Sequence, residues 1–262
     1  MNEIKQEDTT RIIVHAYPTL LRMEDLLSKL LPAEMCVKRL IRLFYAELAK
    51  NPSLNNCTTE SICGAIMSCA QHGLEPGIAG MVYLIPRGGK CAFMLGYRGM
   101  ITLSRRSGTL TSIEASCVYE KDHFKIKKGT KPDLDHEPAI VDRGEMLGVY
   151  AIVTLTDGSK QFDFMNMSDI SAVRGRSPTR NSGPWVTDFE QMAQKTVIRR
   201  LLKLAPISIN LSSAISLDEA SDYGDQGLEI LGREAMASME PAQNIVDIQS
   251  QSDRLADRLG GK

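Results

Sequence analysis

The chain has 262 residues, enough for one sizeable core with an appendage and too few for two large domains. Its 43% hydrophobic and 24% charged residues are those of an ordinary globular protein, and no run approaches the roughly 20 apolar residues that span a bilayer. The net charge of −1 hides an uneven distribution: ten acidic and four basic residues follow residue 210, a net of −6, so the part before it carries +5. A mildly basic body with an acidic end fits a nucleic-acid binder. The polar residues 1–8 hold no signal-peptide core. Six cysteines occur without a Cys-x-x-Cys pair, and His15, His72, His123 and His136 form no ligand pair with them, which argues against zinc and for reduced thiols in a cytosolic protein.

Residues 1–18 carry only a short β-like run at 11–14. Leu20, Met23, Leu27, Leu30 and Leu31 then recur at helical spacing until Pro32. Val37, Leu40, Ile41, Phe44 and Leu48 form the apolar face of a second helix, with Lys38, Arg39 and Arg42 away from it, and Asn51-Pro52 stops it. Thr58 suits the N-cap of a third, in which Ile62, Ala65, Ile66, Cys69 and Ala70 follow the i, i+3, i+4, i+7, i+8 pattern, and Gly73 closes it. A hairpin follows over 81–95. Its turn is Arg87-Gly88-Gly89-Lys90, where the paired glycines supply the positive φ of a tight two-residue turn. The hairpin feeds a helix from Tyr97 that Gly108 ends. At about 100° per residue, Arg98, Thr102, Arg105 and Arg106 share one side of this helix and Tyr97, Met100, Ile101 and Ser104 the other. A basic hairpin tip thus leads into a helix with a basic face, either a solvated surface or a phosphate-binding one.

Beyond Gly108 the pattern turns to β. Residues 110–119 read as a strand with 123–127 as its return, 129–144 as a polar loop with at most a short edge strand, and 146–155 as the clearest strand of the chain. Asp157-Gly158 signals a type I′ hairpin into a return strand at 161–165. Ser168 caps a short helix toward Val173. Residues 174–184 hold Arg174, Arg176 and Arg180 and no apolar anchor, a flexible basic loop of the kind that meets phosphate. A long helix over about 185–204 buries Phe189, Met192, Ala193, Val197, Leu201 and Leu204, with Lys195, Arg199 and Lys203 as a ridge at i, i+4, i+8. Trp185, the single tryptophan, either packs as a cap at the start of that helix or stacks on a base. After Pro206 the chain is Ser-rich and acidic, with helical patterns at 228–239 and 253–259. It reads as a linker with a partner-binding end, so that truncation after Ile209 is expected to leave a folded core.

The equipment of an enzyme is missing. Gly88-Gly89-Lys90 does not make a phosphate-binding Gly-x-x-x-x-Gly-Lys-Ser/Thr, because Cys91 follows and no glycine stands five residues before Gly89. Neither a Gly-x-Ser-x-Gly elbow nor a His-Glu-x-x-His pair occurs. An acidic residue followed at a distance by Glu-x-Lys, a nuclease pattern, starts at Asp133 but is not completed. Asp133, Asp135, His136 and Glu137 leave a metal-dependent nuclease open beside the reading as a solvated acidic loop. No cofactor and no metal are expected.

Several stretches together resemble the RecT family of phage and prophage single-strand annealing proteins. They are Gly73-Leu74-Glu75-Pro76, Gly96-Tyr97-Arg98-Gly99-Met100, Arg106-Ser107-Gly108 and Val118-Tyr119-Glu120-Lys121-Asp122. Most specific is Ser182-Gly183-Pro184-Trp185 followed by Asp188, Met192, Lys195-Thr196, Arg199-Arg200, Lys203 and Pro206. The likeness covers about 35–208. It implies a recombination protein that forms rings or filaments and anneals complementary strands in a basic groove without nucleotide hydrolysis. It also implies a partner exonuclease and the host single-strand binding protein. The expected fold is α+β: N-terminal helices, a β-hairpin, and a central antiparallel sheet packed by helices including the long C-terminal core helix, with a flexible acidic tail. The expected division is an arm and helix over 1–34, a DNA-annealing core over 35–209 and a partner-binding tail over 210–262. The residues assigned to DNA are Arg87, Lys90, Arg98, Arg105, Arg106, Arg174, Arg176, Arg180, Lys195, Arg199, Arg200 and Lys203, with Tyr97 and Trp185 as stacking candidates. The main rival is a protein that coats single strands without annealing them.

Overall fold

The computed structural model describes residues 18–77 and 80–239, and it is α+β. The β-like run at 11–14 and the helical pattern at 253–259 lie outside the described residues. The chain divides into two units, residues up to 99 together with those from 224 onward, and residues 100–223. This division does not follow the expected arm, core and tail.

In the first unit three helices, Glu24–Leu30, Val37–Lys50 and Thr59–His72, bury the apolar faces that their spacing lays out. Thr58 caps the third by accepting from the Ser61 amide, and Gly73 ends it in the left-handed conformation at φ 62°. Strands β1 (Val82–Arg87) and β2 (Lys90–Leu95) pair antiparallel across Gly88 and Gly89, at φ 53° and 76°, which is the turn their sequence demands. The helix Leu228–Ala237, expected in a flexible tail, instead packs on Thr59–His72. Two glycines permit the contact: a Cβ on Gly64 would lie 1.9 Å from the Leu228 carbonyl oxygen, and one on Gly232 would lie 1.8 Å from that of Glu60. We therefore expect Gly232→Ala to cost about 1–3 kcal/mol by forcing the helices apart. The readout is a lower unfolding midpoint for the first unit, and an unchanged midpoint would mean that the helices do not cross this closely. Cys57, Cys63, Cys69 and Cys91 are buried here, and burial pushes the Cys57 and Cys63 thiols up to about 11 and about 12. They act as small apolar groups.

The helix Tyr97–Arg106 carries the chain into the second unit. There β3 (Leu110–Tyr119) pairs with β6 (Met146–Leu155), and β6 with β7 (Lys160–Asn166). β4 (His123–Lys127), expected as the return of β3, pairs with β5 (Asp133–Glu137) instead. Length decides this: β3 and β6 each have 10 residues and can complete one another's ladder, whereas β4 has 5. The β6–β7 connection is a four-residue loop, 156–159, in which Gly158 alone takes positive φ, at 82°, rather than a type I′ turn. Val149, Ala151, Val153 and Met165 line one buried face, against which the helix Phe189–Leu202 packs. On the other face Phe124 and His136 of the β4–β5 hairpin meet Tyr150, and Phe124 also meets Phe164, at centroid distances of 5.2–5.9 Å.

Asp122, with its side chain fully buried, ties this hairpin down. It accepts from Arg143, His136 and the amides of Tyr119 and Ala139. The Arg143 guanidinium above all holds the Asp122 carboxyl far below the usual carboxylate range. Asn166, rather than Ser168, caps the helix Met167–Arg176. The expected long helix is broken at Asp188 (φ −138°, ψ 48°) into Pro184–Thr187 and Phe189–Leu202. The helix Ile209–Asp222 follows, capped by Ser208, and buries Leu211, Ala214, Ile215, Asp218 and Ser221. Residues 210–239 are therefore folded in both units, so the expected tail boundary falls inside ordered structure.

Candidate nucleic-acid interface

The basic candidates of the first unit stand on the hairpin and at the start of the Tyr97–Arg106 helix. Gly96 and Gly99 let that start lie against the preceding chain, since a Cβ on either would sit 2.0 Å from Gly80 O and 2.4 Å from Met81 O respectively. Tyr97 and Arg98 then face solvent, with Arg98 Nε 3.4 Å from the Tyr97 hydroxyl. Arg87 is half-buried on β1. Lys90 is engaged: its ammonium lies 2.7 Å from Glu229, which also accepts from Thr58. The hydrogen bond between them raises Lys90 and lowers Glu229. The hairpin turn is as its sequence demands, and its lysine, assigned to DNA, instead holds the Leu228–Ala237 helix.

In the second unit, Arg105 and Arg106 are exposed on the last turn of their helix, and Arg105 has no ion pair among the described residues. The segment expected as a flexible loop is the end of a helix followed by consecutive turns. Arg174 Nε donates to the Arg180 carbonyl at 2.8 Å and its guanidinium lies 5.8 Å from the Phe189 ring, so the segment does have an apolar anchor. Arg176 and Arg180 are exposed and make only long bonds, 3.4 and 3.5 Å, to carbonyls of Ala172 and Gly175.

The expected ridge on the Phe189–Leu202 helix is in large part interior. Lys195 and Arg199, only 8% and 9% exposed, converge on buried Asp218 at 2.8 and 3.1 Å, and Arg199 also reaches Asp222 at 2.8 Å. Burial lowers Lys195 in spite of Asp218. It also works against Arg199, where Asp218 and Asp222 outweigh it and leave the guanidinium raised. Arg200 pairs with Asp163 at 2.5 Å beside Lys128, and Lys203 with Glu219 at 2.7 Å. The missed signal was spacing: Asp218 and Asp222 stand at i, i+4, matching Lys195 and Arg199 on the facing helix. Trp185 is 3% exposed and packs 6.1 Å from Phe189, the geometry of a helix-start cap rather than of a stacking plate.

The acidic cluster of the nuclease reading is pulled apart by β5. Strand alternation puts Asp133, Asp135 and Glu137 outward, opposite Lys127, Lys125 and His123, while His136 turns inward to Asp122 and Tyr150. No three His, Cys, Asp or Glu side chains are arranged to hold a metal ion among the described residues. No helix among them is long and apolar enough to cross a membrane.

Exposed arginines thus stand on successive elements of an α+β chain, and comparison gives the class. The RecT family model matches residues 38–229, and the chain belongs to the RecT family of annealing proteins. It is 43% identical over 206 residues to the Protein RecT of Escherichia coli (strain K12), covering 75% of this chain and 77% of that one. It is also 28% identical over 138 residues to the uncharacterized protein YqaK of Bacillus subtilis (strain 168), covering 52% of this chain and 48% of that one.

Proposed function

We propose that the protein anneals complementary DNA single strands during recombination, without nucleotide hydrolysis and as an oligomer. The observation that carries this reading is the family match, which runs unbroken through the basic segments of both units. Annealing requires a strand held by its phosphates with the base edges left open, a task for arginines on fixed elements. Arg98, Arg105, Arg106, Arg174, Arg176 and Arg180 supply it, and Lys195 and Arg199 are withdrawn into the ion-pair cluster. Correct pairing contributes roughly 1.4 kcal/mol per stacked step, so aligning the strands and holding the duplex is enough. The setting is the bacterial cytosol, with an exonuclease supplying strands and the host single-strand binding protein as a further partner. A time course of annealing between complementary oligonucleotides, without ATP, tests the proposal. Strands coated but not paired would establish the non-annealing rival.

The logarithm of the affinity for single strands should fall linearly with log salt, with a slope of about 0.7 per phosphate contacted. Arg105→Ala should make that slope shallower by about one such contact and leave the unfolding midpoint in place. A slope unchanged by the substitution would remove Arg105 from the interface.

A further inference from the structure

We infer that Tyr223 is a base-stacking residue, and that one nucleotide of a single strand binds with its phosphate in the adjoining cavity and its base on the tyrosine ring. This rests on the DNA-binding reading above. The cavity lies within the second unit, holds about 200 Å³, and is lined in part by Arg176, Arg199, Arg200, Lys203 and Tyr223. Ligand pockets that enclose a small molecule run to roughly 300–1,000 Å³, so this one admits a phosphate and leaves the base outside. Four cations line it with two carboxylates, Glu219 and Asp222; Arg199, Arg200 and Lys203 are paired, Arg199 with Asp218 and Asp222, Arg200 with Asp163 and Lys203 with Glu219. Both carboxylates are occupied, Asp222 by Arg199 and Glu219 by Lys203. Arg176 is different. Among the described residues its side chain makes one long contact, 3.4 Å to a carbonyl of its own helix, so its guanidinium fork can turn to an arriving phosphate.

Tyr223 stands on the rim, 71% exposed, while its amide is fixed by the carbonyls of Ala220 and Ser221 at the end of the Ile209–Asp222 helix. A large ring on an anchored backbone, left open to solvent beside a cavity that Arg176 lines, is an arrangement that can stack an unpaired base. Stacking also suits annealing, because it uses the face of the base and leaves the pairing edge free.

The test compares the full chain and its Tyr223→Leu and Tyr223→Phe variants. Each is titrated with oligothymidylate and with an abasic strand of equal length over a salt series. Tyr223→Leu keeps apolar bulk at an exposed position and so spares folding. It should bind oligothymidylate about ten-fold more weakly with an unchanged salt slope, and bind the abasic strand as the unaltered chain does. Tyr223→Phe, which keeps the ring, should recover the affinity. The inference is overturned if Tyr223→Leu binds oligothymidylate normally, if it loses equally on the abasic strand, or if its salt slope becomes shallower. An unaltered chain that shows no salt-dependent binding overturns the annealing proposal itself, a distinguishable result.

Discussion

Asp218→Ala is expected to destabilise the second unit by about 3–5 kcal/mol, because it strands buried Lys195 and takes from Arg199 one of its carboxylates. Asp218 is 2% exposed and is the one carboxylate shared by Lys195 and Arg199. Without it Lys195 loses its ion pair, while Arg199 keeps Asp222 and the more distant Glu219. Arg199→Ala should cost less, since Asp218 keeps Lys195. The order of the two unfolding midpoints is the measurement. Equal midpoints, or an Asp218→Ala midpoint like that of the unaltered chain, would mean that these cations are solvated and available to DNA after all.

Truncation after Ile209 should leave no folded second unit, contrary to what the acidic composition of 210–262 suggests. The cut removes Asp218 together with Leu211 and Ile215, both buried, and each buried aliphatic side chain contributes about 1.5–3 kcal/mol. Set against a whole-domain stability of about 5–15 kcal/mol, the loss of those contacts and of the charge partner is decisive. Truncation after Tyr223 separates the units. It spares residues 100–223 and strips the first unit of its Leu228–Ala237 helix. Hydrogen exchange on the two truncated chains reads the difference: protection in 100–223 should survive the second cut and vanish after the first. Cooperative unfolding retained after the Ile209 cut would restore the boundary near 210.

Local structure was legible where one residue type answers one local demand. Thr58 caps, Gly73 ends a helix, and Gly88-Gly89 turns a strand, each by its own backbone chemistry. The hairpin partners β1–β2 and β6–β7 were legible too, but the β3–β6 partnership was not, because it is a choice between ladders that no short stretch contains. The Ile209–Asp222 helix was disguised by its own core. Leu211, Ala214, Ile215, Asp218 and Ser221 keep helical spacing, but two of these five are polar, so the segment reads as a linker. The same blindness turned Lys195 and Arg199 into surface cations. A lone basic residue in sequence looks solvated until its acid is found, here some twenty residues later.

The Leu228–Ala237 helix also sets the order in which the polypeptide can mature. Residues up to 99 leave the ribosome before 100–223, yet they lack a wall until a segment more than a hundred residues downstream arrives. At about 5–20 residues per second the interval is roughly 6–25 s. During it the Phe93 amide and carbonyl, which the Gln226 side chain engages at 2.8 and 2.7 Å, stand as an open edge of β2. The groove around Gly64 is empty for the same time. Residues 100–223, being contiguous, can close first. Residues up to 99 are thus made before 100–223 and sealed after them, and in that window they are exposed to pairing with another nascent chain.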